Sequence, residues 1–213
     1  MSLYVVTGTD TGVGKTFVSQ RLIEGLRGRG LDAIGLKPVE TGWTGAPGSD
    51  AGLLALASER EISETIWGHF ALPLAPAVAA RAEDRPISLP EVVGWIRGCS
   101  GAFTLVEGAG GWLVPFTEVA LFRDLVVDLK PDGVLLVAHA RLGTINHTLL
   151  SAESIRSAGC RLVGVAMSVK PDELELAESN LSEIRDRIEE PVWMVPAELD
   201  AMVDLFHVEH QRR

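Results

Sequence analysis

Short apolar runs rich in Val, Ile and Leu recur along the chain at Leu3–Val6, Ala33–Leu36, Phe103–Val106, Gly133–Ala138, Leu162–Ala166 and Val192–Val195. They read as buried parallel strands, whose two covered faces leave no place for charge. Helical lengths of sequence separate most of them. Leu174, Ala177, Leu181, Ile184 and Ile188 repeat at helical spacing, as do Ile145, Leu149 and Ala152, so each segment can lay one apolar face on a sheet. Repeated strand-helix alternation predicts a three-layer α/β fold: a mostly parallel central sheet, right-handed crossovers and helices on both faces. Ligands of such sheets collect at the carboxyl ends of the strands. The tail from Met202 to Arg213 is mixed in charge and reads as a fraying terminal helix.

The first strand runs into Gly8-Thr9-Asp10-Thr11-Gly12-Val13-Gly14-Lys15-Thr16, and Lys15 opens a helix expected to reach about Arg27, where Gly28 and Gly30 end it. Strand, glycine loop and helix in this order predict a phosphate loop and a P-loop NTPase-like fold. Glycines let successive N–H groups point at phosphate oxygens, the helix N-terminus adds its positive end, Lys15 neutralises the β and γ phosphates, and Thr16 offers a hydroxyl to magnesium. The usual pattern, G-x-x-x-x-G-K-[ST], is varied here, with Thr9 in the first glycine position and Gly8 one residue earlier.

Composition narrows the partners. A chain of 213 residues with 46% hydrophobic content suits a single domain spanning residues 1–213. A net charge of -10 argues against nucleic acid or an anionic membrane, which are held through clustered Lys and Arg. The N-terminus lacks the basic start and long apolar stretch of a signal peptide. The longest uncharged run, Thr65 to Ala80, is shorter than the ~20 residues a membrane span needs, and Pro73 and Pro76 interrupt it. Cys99 and Cys160 read as buried thiols of a reducing compartment, so a cytoplasmic location is expected.

Three charged residues outside the loop fit magnesium-nucleotide chemistry to different degrees. Glu107 follows the strand Phe103–Val106 and precedes Gly108-Ala109-Gly110-Gly111, placing an acid at the ligand edge. Lys37 is expected to end the strand Ala33–Leu36, with Pro38 holding it extended, and suggests a second anion on that edge. Asp50, on spacing alone, reads as a helix cap rather than a metal ligand. The stretch Thr41 to Ser49 is a loop long enough to be functional. The five histidines show no metal-ligand spacing, so no zinc site is expected. Trp43 and Trp112 read as packing residues.

Taken together, the loop from Gly8 to Thr16, Lys37-Pro38-Val39, Glu107-Gly108-Ala109-Gly110-Gly111 and Leu142-Gly143-Thr144-Ile145-Asn146-His147 closely resemble the dethiobiotin synthetase family. The resemblance implies an ATP-dependent ligase that joins 7,8-diaminononanoate and CO2 into the ureido ring of dethiobiotin. The route would pass through a carbamate and a carbamic-phosphoric anhydride. It implies that Gly12, Val13, Gly14, Lys15, Thr16 and Phe17 hold the nucleotide, with Gly108, Ala109 and Gly110 beside it. Thr16, Asp50 and Glu107 would hold Mg2+, overturning the capping role for Asp50. Lys37 would steady carbamate and phosphoryl group, and Thr41 would contact substrate. Gly143, Thr144, Ile145 and Asn146 would receive the substrate carboxylate across a homodimer interface. Ser168 stands near a place where some members carry an adenine-reading Asn, and Pro196, Ala197 and Glu198 would flank the base. The rivals are a partitioning-type switch ATPase, whose signature lysine early in the loop is missing here, with Asp10 in that region instead, and an amide-forming ligase of the cobyrinate synthase type.

Overall fold

The apolar runs pair into one sheet around the first of them. A computed structural model describes residues 1–99 and 101–213. In chain order the first half holds β1 (Ser2–Gly8), α1 (Lys15–Arg27), β2 (Ala33–Thr41), α2 (Asp50–Ser58), α3 (Ile62–Thr65), β3 (Ile66–Phe70), α4 (Pro76–Ala82) and α5 (Leu89–Gly98). The second half holds β4 (Phe103–Gly111), α6 (Phe122–Leu129), β5 (Gly133–His139), α7 (Thr144–Ser157), β6 (Leu162–Ser168), α8 (Leu174–Arg185), β7 (Val192–Val195) and α9 (Leu199–Gln211). The strand order is β3-β2-β4-β1-β5-β6-β7, with every pairing in the sheet parallel. β1 is flanked by β4 and β5, so the chain reverses its direction of travel across the sheet there. The carboxyl end of β1 is therefore where a ligand crevice opens.

Alternation along the strands divides the core into two layers. Val5, Val134, Leu136 and Ala138 face one layer, covered by α5, α6, α7 and α8. Tyr4, Val6, Leu135 and Val137 face the other, covered by α1 and α9. Both faces being apolar explains why these strands read as continuous hydrophobic runs.

Three expectations change. β3 was hidden in an uncharged stretch because Ile66-Trp67-Gly68-His69-Phe70 is an edge strand, half-exposed along most of its length, without a regular apolar pattern. β2 continues to Thr41, so Lys37 lies inside the strand rather than at its end. The ladder to β4 stops at Leu36↔Val106, and Pro38 therefore breaks no bond of it. The tail does not fray: Met202, Val203 and Phe206 are buried, and Tyr4 stacks on Phe103 while Phe206 meets Tyr4 edge-on at 4.9 Å. Tyr4 Oη donates to Glu209 at 2.6 Å, and Arg161 pairs with the same carboxylate. Ala177, Leu181 and Ile184 on α8 are buried, as is Ile188 just beyond the helix, whereas Leu174 at the first position is exposed. Cys99 and Cys160 are free, half-buried thiols, and burial raises both pKa values. Among the described residues no helix is long and apolar enough to cross a membrane.

Truncating Phe206 to Ala opens a cavity between α9 and β1 and is expected to cost about 3–5 kcal/mol in urea unfolding. A loss under about 1 kcal/mol, typical of surface changes, would show that α9 does not clamp the sheet.

Candidate active site

The loop after β1 is shaped by backbone that only glycine adopts easily. Gly12 and Gly14 have φ of 72° and 94°, and Gly14 leads directly into α1. Thr9 N–H donates to the Val137 carbonyl at 2.9 Å, seating the loop on β5. Lys15 is 6% exposed, and its ammonium reaches the Asp10 carbonyl at 3.2 Å. Burial, followed by the nearby Lys37 charge, pushes the Lys15 pKa down to about 8. A buried ammonium whose strongest contact is one long bond to a carbonyl favours an incoming anion.

Lys37 is in the opposite condition. Leu36 on β2 pairs with Val106 on β4, so the next residue of each strand, Lys37 and Glu107, stand side by side. Lys37 Nζ donates to Glu107 Oε1 at 2.8 Å, to Asp50 Oδ2 at 2.6 Å and to the Gly108 carbonyl at 3.3 Å. Those contacts use all three donors of the ammonium. Burial alone would lower its pKa, but Glu107 and Asp50 outweigh it and hold the value above that of ordinary lysine. Burial likewise opposes the charge of Asp50, yet Lys37, Thr16 and Lys15 hold its carboxyl below the usual aspartate value.

Thr16 Oγ1 donates to Glu107 Oε1 at 2.8 Å. Glu107 is fully buried, and its Oε2 has no hydrogen-bond partner among the described residues. A buried carboxylate oxygen left without a donor is costly unless a cation completes it. Two carboxylates and a hydroxyl match the donor set of magnesium, which takes one or two protein acids and keeps several waters. Among the described residues no group of three or more His, Cys, Asp or Glu is gathered as a metal cage.

Asp50 is not the cap of its helix. Ser49 is the N-cap, accepting from Gly52 N–H, and Asp50 is the first helical residue. The helix N-terminus is also held by Glu40, which the sequence reading passed over. Glu40 accepts the N–H of Asp50 at 3.0 Å and of Ala51 at 2.8 Å, and burial raises its pKa. An acid three residues after Lys37 on one strand was the available signal.

Lys15, Lys37, Thr16, Glu40, Thr41 and Asp50 share one cavity of about 320 Å³. Gly12 and Gly14 line it from the loop, Phe17 from α1, and Ala109 and Gly110 from the end of β4. Val13 is buried beneath the loop. Gly108 has a packing reason for its glycine, since a Cβ there would sit 2.5 Å from the Phe122 ring. Ser168, ending β6, backs onto Gly14, where a Cβ would lie 2.3 Å from its Oγ. Pro196 and Ala197 are exposed after β7, and the Glu198 carboxylate is taken up by Arg185 and the Met194 N–H. Gly143, Thr144, Ile145 and Asn146 form the N-terminus of α7, outside this cavity's lining, with Thr144 buried and Asn146 exposed. A neighbouring cavity of about 490 Å³ joins α7, through His147, to Thr11 and Gly111. Trp112 is buried, and Trp43 lies against His69 at 5.0 Å.

Comparison with known proteins decides among the families that share this loop. An AAA domain family model matches residues 3–201. The ATP-dependent dethiobiotin synthetase BioD of Anaeromyxobacter dehalogenans (strain 2CP-1) is 43% identical over 201 residues, covering 92% of this chain and 90% of that protein. The chain belongs to the dethiobiotin synthetase family. The protein of the same name from Cellvibrio japonicus is 39% identical, covering 88% of this chain and 86% of its own. Solved structures extend the likeness at the level of the fold alone. The MinC:MinD cell division complex of Aquifex aeolicus gives a TM-score of 0.57 at 14% identity, covering 98% of this chain and 86% of that one. The signal recognition particle receptor FtsY of Elizabethkingia anophelis with GDP gives 0.53 at 18%, covering 97% and 63%. Family membership therefore sets aside the partitioning-type and cobyrinate synthase-type alternatives.

A pKa near 8 for Lys15 has a measurable sign. Bound phosphate favours the ammonium and raises this pKa, so nucleotide binding takes up a proton around pH 8, and affinity falls as pH rises further. Calorimetry with a non-hydrolysable ATP analogue in buffers of different ionisation enthalpy should detect this uptake. It should vanish in Lys15→Arg; buffer-independent heats in the unmodified protein would contradict the assignment.

Proposed function

We propose that this chain is a dethiobiotin synthetase acting in the cytoplasm on 7,8-diaminononanoate, CO2 and ATP. The observation that carries the proposal is the convergence of Lys15, Thr16, Lys37 and Asp50 on one cavity, with the buried Glu107 bonded to Thr16 and Lys37, in a chain whose relatives bear that name. Lys15 and the loop N–H groups hold the triphosphate. Thr16, Asp50 and Glu107 would hold magnesium, which would supply charge neutralisation to the triphosphate.

The chemistry proceeds in three balanced steps. A substrate amine adds to the carbon of CO2 and loses a proton, giving a carbamate. A carbamate oxygen then attacks the γ phosphorus while its bond to the bridging oxygen of ADP breaks. The second amine attacks the resulting anhydride carbon, loses its proton and expels inorganic phosphate as the ring closes. Lys37 faces the anions of the first two steps. Its three N–H donors would serve carbamate and transferring phosphoryl oxygens on leaving Glu107, Asp50 and the Gly108 carbonyl. Thr41, at the end of the same strand, contacts the diamine. The N-terminus of α7, from Gly143 to Asn146, receives the substrate carboxylate of a partner subunit; its place outside the cavity that holds Lys15 and Lys37 supports a shared site in a homodimer. Ser168 and the segment Pro196 to Glu198 lie toward the base.

ADP release measured with ATP and magnesium tests the proposal, with diamine and bicarbonate added separately and together. Release should require both, and release that ignores the diamine would sink it. Lys37→Gln keeps donors for Glu107 while removing the charge. It should retain nucleotide binding and lose roughly 10²-fold or more in turnover; unchanged turnover would remove Lys37 from the chemistry.

A further inference from the structure

Glu40 is a buried acid for which the chemistry above has no use. Only 7% exposed, it sits on β2 between Lys37 and Thr41 and faces the same cavity as both. Its two oxygens are divided between two donors: Oε1 accepts from Asp50 N–H and Oε2 from Ala51 N–H. The first turn of α2 has four N–H groups to satisfy. The other two are met locally, Ser49 by the Ala46 carbonyl and Gly52 by the Ser49 hydroxyl. Ser49 thus closes the helix on itself, whereas Glu40 fastens it to the strand that carries Lys37.

We propose that Glu40 is a positioning residue that pins the start of α2 to β2 and thereby sets the reach of the Asp50 carboxylate toward Lys37, Glu107 and the cation. The two strands hold Lys37 and Glu107 in place through their ladder, but Asp50 arrives on a helix after the long connection from Gly42 to Ser49. Two charge-assisted bonds from a buried side chain join that helix to the sheet. A carboxylate is the side chain that can accept at both oxygens. Glutamine in its place would turn an NH2 toward one of the two donors.

The inference rests on Asp50 as a cation ligand, and the test separates the two. Amide hydrogen exchange without metal or nucleotide is compared in Glu40→Gln, Glu40→Asp and Ser49→Ala, alongside the magnesium concentration for half-maximal turnover. Glu40→Gln should speed exchange at Asp50 and Ala51 and raise the magnesium requirement about tenfold, the lower range for loss of a group that orients a ligand. Turnover at saturating magnesium should stay close to that of the unmodified protein. Glu40→Asp keeps the charge but withdraws the carboxylate and should act in the same direction, which covers the case in which Glu40→Gln does not fold. Ser49→Ala should speed exchange at Gly52 and leave the magnesium requirement in place. If the Glu40 and Ser49 variants shift the requirement equally, or neither shifts it while Asp50→Asn does, Glu40 is only a cap and the proposal fails. If Asp50→Asn itself leaves the requirement unchanged, the cation assignment fails instead.

Discussion

A lysine and a glutamate on neighbouring strands have been taken out of water together, and much of the site follows from that. Desolvating an isolated ion costs several kcal/mol, so neither Lys37 nor Glu107 could sit where it does without the other. Their contact comes from sheet register: Leu36 opposite Val106 brings the next residues side by side at the carboxyl edge. Thr16 from the phosphate loop and Asp50 from α2 are then drawn onto the same pair. Four separate segments are joined through one buried charge contact.

The two lysines divide the electrostatic work. Lys15 is buried with one long contact to a carbonyl and has its pKa pushed down, so it is open to an arriving phosphate. Lys37 is fully engaged by acids and has its pKa pushed up, so it keeps its proton but must exchange partners to act. Glu40 and Asp50 line this cavity beside Lys15 and Lys37, and the buried Glu107 bonds Lys37 and Thr16.

Much of this was legible in the sequence because it depends on local pattern. The phosphate loop announces itself through Gly12, Gly14, Lys15 and Thr16, and α1 ends near Gly28 as its glycines require. The strands with both faces buried stood out as uninterrupted apolar runs. β3 did not, because an edge strand containing Gly68 and His69 has no such pattern. The strand position of Lys37 was misread because the apolar run stops at Leu36, although Pro38, beyond the β4 ladder, breaks no bond of it. The tail looked mobile because its charges hide Met202, Val203 and Phe206, whose burial depends on β1 and on Phe103 from β4. Glu40 was missed for a related reason. Its partners are backbone N–H groups of a helix ten residues on, a relation carried by the path of the loop and not by residue spacing.

The central claim is that this cavity delivers a phosphoryl group to a carbamate and not to water. Oxygen tracing measures that choice directly. With ATP, magnesium, diamine and freshly added C18O2, one 18O from carbon dioxide should appear in each released phosphate, carried there when the carbamate oxygen becomes the bridge to phosphorus. Phosphate released without 18O would show transfer to water, and would contradict the account.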